Sequence, residues 1–176
     1  MRAKLPDKEG FAERNGNRIH YEVYGSGAPT VLLLPTWSII HSRHWKMQIP
    51  YLARHCRVLT FDGRGNGRSD RPKEGAAYDE REFAADALAV MDVTDTERAV
   101  IVGFSLGGQR GLLLAAEHPE RVEGAVFIGP SFVGGGEPVP RMQVRHPLGR
   151  ETAEAARLRR GPGIGDQTPL REGMRE

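Results

Sequence analysis

The chain has 176 residues, 25 Lys and Arg against 23 Asp and Glu, a formal net charge of +2, and 39% hydrophobic residues. This length suits one domain with a sizeable core, and the balanced charge selects neither nucleic acid nor an anionic membrane as partner. The single cysteine, Cys56, excludes an intrachain disulfide and reads as a small buried hydrophobe. No apolar run reaches the roughly 18 residues of a membrane span, and "MRAKLPDKEG" lacks the apolar stretch of a secretory signal, so a cytoplasmic location is expected.

The first element is a hairpin. In "FAERNGNRIHYEVYG" the Asn15-Gly16 pair suits a type I′ turn, because both residues tolerate positive φ. Ile19, Tyr21 and Val23 alternate with His20, Glu22 and Tyr24, which predicts a half-exposed strand with His20 on its polar face. "TVLLLP" is apolar throughout and reads as a strand covered on both faces. "RHWKMQIPYLARH" reads as helical around Trp45, Ile49 and Leu52, with Pro50 kinking or restarting it. "RVLTFD" is a second buried strand, and "GRGNGRSDRPKEG" a loop in which Asp62 and Arg64 can pair. "DEREFAADALAVMDVT" is a helix with Phe83, Leu88 and Met91 inward. "RAVIVGF" is a third buried strand, "SLGGQRGLLLAAEHPE" a helix, and "RVEGAVFIG" a fourth strand.

Strand and helix alternate from about residue 30 to 130, which predicts an α/β fold. Its sheet would be mostly parallel, with the antiparallel hairpin at one edge and helices on both faces. From Val133 the character changes. Gly, Pro and Arg dominate, no aromatic residue occurs, and "ETAEAARLRR" is the only helical stretch. We therefore divide the chain into a core, 1–132, and a tail, 133–176, that reads as a loose segment or the start of a cap. Arg68, Arg71 and the Arg159–Arg160 pair read as solvated surface.

Chemistry concentrates at Gly103-Phe104-Ser105-Leu106-Gly107, a G-x-S-x-G pattern between a buried strand and a helix. A serine on so sharp a turn is pushed outward above the carboxyl ends of the strands, and the amides opening the helix can stabilise an oxyanion. A phosphate-binding loop is the competing reading, but "GFSLGG" has no Lys-Ser/Thr after its glycines and no G-x-G-x-x-G. No Cys/His cluster has zinc spacing, and no metal or organic cofactor is expected.

The chain resembles the N-terminal part of the α/β-hydrolase superfamily, in its serine esterase, peptidase and cofactor-free haloperoxidase-like branch. The resemblance runs from about Phe11 to Ser131 through "NGNRIHYEVYGSGAPTVLLLP", "FDGRGNGRSDRP", "VIVGFSLGG" and "AAEHPERVEGAVFIGPS", in the family's order. It implies Ser105 as nucleophile, with Leu106 and Trp37 as oxyanion-hole residues. Many relatives carry His-Gly before the position of Trp37, where this chain has Pro35-Thr36. A serine nucleophile argues against the branches that use aspartate, the dehalogenases and epoxide hydrolases.

The family order places an acid and then a histidine after the serine. Here His118 and His146 follow Ser105. His118 reads as a helix-end residue, which leaves His146 with Glu137 as the weak candidates for base and acid. His41 and His44 precede the serine and suit substrate contact or simple solvation. Two readings stand. The first is a hydrolase of carboxylic esters or related acyl compounds acting through an acyl-enzyme. The second is a catalytically incomplete family fragment, C-terminally truncated, that binds a partner or has no function. Truncation would also leave "GAVFIG" as an uncovered sheet edge, so self-association is expected.

Overall fold

The computed structural model describes residues 4–37 and 40–130, all within the compact unit Met1–Pro140. The expected tail at 133–176, with Glu137 and His146, lies outside the described residues.

Six strands form one sheet: β1 (Lys8–Arg14), β2 (Asn17–Tyr24), β3 (Thr30–Leu33), β4 (Arg57–Phe61), β5 (Ala99–Phe104) and β6 (Val122–Ile128), in the order β1-β2-β4-β3-β5-β6. The β1–β2 and β2–β4 pairs are antiparallel, while β3–β4, β3–β5 and β5–β6 are parallel. Asn15 and Gly16 turn the hairpin at φ of 50° and 73°, as the sequence predicts. The α-helices among the described residues are α1 (Ile49–Leu52), α2 (Glu80–Val93) and α3 (Leu106–Glu117).

The period of two in β3 divides the core into two layers. Leu32 packs with Leu59, Ile101, the α2 residues Ala87, Val90 and Met91, and Leu114 of α3. Val31 and Leu33 point the other way and pack with Trp45, Ile49 and Val58. Each fully buried leucine contributes about 2 kcal/mol, and the sheet therefore needs helices on both faces.

The structure corrects four details of the sequence reading. The polar side of β2 is not half-exposed: His20, Glu22 and Tyr24 are buried along with Ile19, Tyr21 and Val23. Arg68 lies beside His20 and Glu9, Tyr24 packs in the core layer with Val31, Leu33 and Val58, and its hydroxyl donates to Glu22. The segment around Trp45 is not one helix but a 3-10 turn at Ser42–Trp45 followed by the single turn α1, with Pro50 in the first turn of α1, where its missing N–H costs nothing. Leu88 does pack against the core but is only partly buried, and the fully buried face of α2 is carried by Phe83, Ala84, Asp86, Ala87, Val90 and Met91.

The fourth correction concerns the loop after β4, where Asp62 and Arg64 do not pair. Asp62 accepts from the Ser42 N–H and hydroxyl (2.9 and 2.7 Å) and the Arg68 N–H (3.0 Å), with His20 Nδ1 3.5 Å away. Its oxygens are thereby occupied. Arg64 instead forks onto Asp86 of α2 at 2.6 and 2.8 Å, while Arg14 of β1 reaches Glu82 at 2.6 Å. Burial alone would raise the Asp62 carboxyl; its hydrogen bonds overcome that and hold it well below the usual carboxylate range. Asp86 is pushed up by burial despite Arg64 and Arg14.

Candidate active site

The parallel register brings the carboxyl ends of β3, β4 and β5 to one edge of the sheet, the edge at which such sheets place ligands. Ser105 stands there, between the end of β5 and the start of α3, with φ 54° and ψ −120°. A non-glycine residue at positive φ is strained, of order 1–3 kcal/mol, and persists only where its surroundings hold it. Here the Ser105 N–H donates to Ile128 O at 3.0 Å, and its carbonyl accepts from Gly108 and Gln109.

Ser105 is the N-cap of α3, a position where serine ordinarily uses its hydroxyl to accept from an amide of the first turn. It makes no such bond here. Among the described residues no hydrogen bond engages the hydroxyl, and the amides of Leu106 and Gly107 open α3 with no carbonyl a turn earlier to bond. The two flanking glycines make the turn possible. A Cβ at Gly103 would collide with Gly107 O, and one at Gly107 would stand 3.0 Å from Pro35 O.

That last contact leads to the loop after β3. Thr36 is buried, and its hydroxyl donates to Phe104 O at 2.8 Å. Thr36 is not among the residues at positive φ, so this position makes no demand for glycine. Trp37 is 55% exposed, and its carbonyl accepts from Ile40. Among the described residues, no carbonyl accepts from the Trp37 N–H.

The structure also brings in a residue that the sequence reading missed. Arg110 of α3 is 3% exposed. It donates to Thr36 O at 2.7 Å and to Glu80 at 2.6 Å, and its guanidinium lies 3.6 Å from the centre of the Phe83 ring. The signal was present: Gly107, Arg110, Gly111 and Leu114 share one helix face, and all are buried.

The histidines are dispersed. His118 ends α3 as its C-cap, 3.5 Å from Glu120. His41 is exposed, accepts from the Arg43 N–H, and borders a cavity of about 220 Å³ with His20, Asp62 and Arg68, whose lining does not include Ser105. His44 packs on Trp45, and burial lowers its pKa.

A family model described as the alpha/beta hydrolase fold matches residues 29–167. The chain belongs to the α/β-hydrolase family. It is 33% identical over 124 residues to the 2-hydroxymuconate semialdehyde hydrolase of Pseudomonas sp. (strain CF600), covering 67% of this chain and 42% of that relative. Among solved structures, an N-acyl homoserine lactone degrading enzyme is 36% identical with a TM-score of 0.63, covering 67% of this chain and 44% of that one. The enol-lactonase from Burkholderia xenovorans LB400 is 34% identical with a TM-score of 0.61, covering 66% and 45%. The chain spans less than half the length of these α/β-hydrolases. Among the described residues, no helix is long and apolar enough to cross a membrane.

Proposed function

We propose that the chain carries the nucleophile of a hydrolase acting on small carboxylic esters or related acyl compounds. Ser105 Oγ attacks the acyl carbon and expels the alcohol, and water hydrolyses the resulting acyl-enzyme. The Leu106 and Trp37 amides receive the negative oxygen of the tetrahedral intermediate; losing one such donor costs on the order of 10²–10³ in turnover. The observation that carries this reading is Ser105 itself, strained at φ 54° between β5 and α3 with its hydroxyl left out of the helix cap. Relatives named as a semialdehyde hydrolase, an N-acyl homoserine lactone degrading enzyme and an enol-lactonase support small acyl substrates. Activation requires a base, and His146 with Glu137 remains the candidate pair. The division into a core to residue 132 and a separate tail, and a cytoplasmic location, belong to the same proposal.

A second reading is a non-enzymatic interaction protein. It is favoured by β6, which among the described residues pairs only with β5. Val126, Ile128 and the neighbouring Phe104 are each about half exposed there, at 50, 48 and 46%. An apolar stripe on an edge strand is a template for self-association.

The deciding experiment is labelling of the purified chain by a fluorophosphonate, beside Ser105→Ala, with circular dichroism to establish folding. Labelling that disappears in the variant supports the first reading. A folded chain that does not label overturns it and leaves the second, for which sedimentation velocity should then show concentration-dependent association.

A further inference from the structure

We infer that Arg110, held in place by Glu80 and Phe83, is a positioning residue that fixes the direction of the Trp37 N–H. The catalytic meaning of this inference rests on the reading of Ser105 as nucleophile; its structural content does not.

The peptide between Thr36 and Trp37 is trans, so the Thr36 carbonyl and the Trp37 N–H are opposite ends of one rigid plane. A donor that holds the carbonyl therefore orients the N–H. Arg110 Nη1 is that donor, at 2.7 Å from Thr36 O, with Pro35 O at 3.4 Å. The rest of the guanidinium is committed to keeping it there. Nε and Nη2 donate to the two Glu80 oxygens at 2.6 and 3.3 Å, and the Phe83 ring lies 3.6 Å from the plane's central carbon. From the other side, the Thr36 hydroxyl grips Phe104 O, next to Ser105 in the chain. The peptide is thus held between α3 and the end of β5. A cation on the carbonyl also polarises the peptide and makes its N–H a stronger donor. Lysine could supply the charge but not the fork that reaches Glu80 and Thr36 together.

The test uses the two tryptophans, Trp37 and Trp45, as reporters. Trp45 donates to Leu34 O inside the core and serves as the internal control. In fluorine NMR of the fluorotryptophan-labelled chain, with Trp37→Phe for assignment, Arg110→Gln should shift or broaden the Trp37 signal and leave Trp45 in place. Labelling of Ser105 by the fluorophosphonate should slow about ten- to a hundredfold, and Arg110→Lys should restore neither. A Trp37 signal that superimposes on wild type in folded Arg110→Gln overturns the inference. A shifted Trp37 signal with an unchanged labelling rate in a wild-type chain that labels upholds the hold on the loop and overturns its catalytic meaning. A wild-type chain that does not label overturns the reading of Ser105, while the NMR comparison still decides whether Arg110 holds the loop. If Arg110→Gln does not fold, Glu80→Gln, at a partly exposed site, is judged by the same signals.

Discussion

The hydroxyl of Thr36 donates to the carbonyl of Phe104 across 2.8 Å, tying the loop after β3 to the residue that precedes Ser105. Glycine at position 36 would supply conformational freedom that this backbone does not use; threonine supplies a bond. Thr36→Val keeps the shape and removes the donor, leaving Phe104 O short of a partner. The expected loss is about 1 kcal/mol in urea unfolding. Equal stability would show that water replaces the hydroxyl at no cost.

Strain at Ser105 makes a sharper prediction. Its φ of 54° is one that glycine adopts freely and alanine does not. Ser105→Gly should therefore be more stable than Ser105→Ala by about 1 kcal/mol, with neither labelled by a fluorophosphonate. If the two variants unfold at the same denaturant concentration, the turn stores no strain that a side chain feels.

The buried pair between Arg64 and Asp86 should be costly to break from one side. Arg64→Met leaves Asp86 in the core with Arg14, 3.5 Å away, as its remaining cation. The expected loss is about 3–5 kcal/mol, and adding Asp86→Leu should recover a large part of it, since the penalty comes from a buried carboxylate that has lost its two short bonds to Arg64. A double variant no more stable than the single one would show that packing, not charge, sets the cost.

Acid should weaken the fold in two separate windows. Burial lowers the His44 pKa from its ordinary 6.5, so the unfolded chain takes up that proton first. The His44 contribution is complete above about pH 6.5 and is lost as the pH falls through the folded value. Asp62 behaves in the same sense further down, contributing above about pH 3.8 and losing its effect below. Thermal unfolding of wild type and His44→Gln near pH 7 and near pH 5 checks the first window. The difference between the two pH values should shrink in the variant, and an unchanged difference would remove His44 as its source.

The alternation of apolar runs with Gly and Pro carried the topology, because parallel strands buried on both faces leave so plain a mark as "TVLLLP" and "VIVGF". The turn at Ser105 was legible for a related reason, since two glycines around a serine between strand and helix have few other uses. Charged residues inside the core were not legible. Arg64, Asp86 and Arg110 look like surface residues when read singly, and only their partners make them buried: Asp86 for Arg64, and Glu80 and Thr36 for Arg110. Those partners lie 22 to 74 positions away in the chain, beyond the reach of local periodicity. Asp86 and Arg110 do share the inward stripes of their helices, and that departure from polarity is the clue to look for.

The ion pairs also decide what would happen if the chain were cut. Arg14 and Arg64 lie before the exposed stretch 73–76, and Glu82 and Asp86 lie after it. The β3–β5 ladder likewise joins residues on either side of that stretch. Cleavage after Lys73 would therefore divide the polypeptide without dividing the sheet. The two fragments should travel together through gel filtration and part only in denaturant, which marks this loop as the natural place to split the protein into a complementing pair.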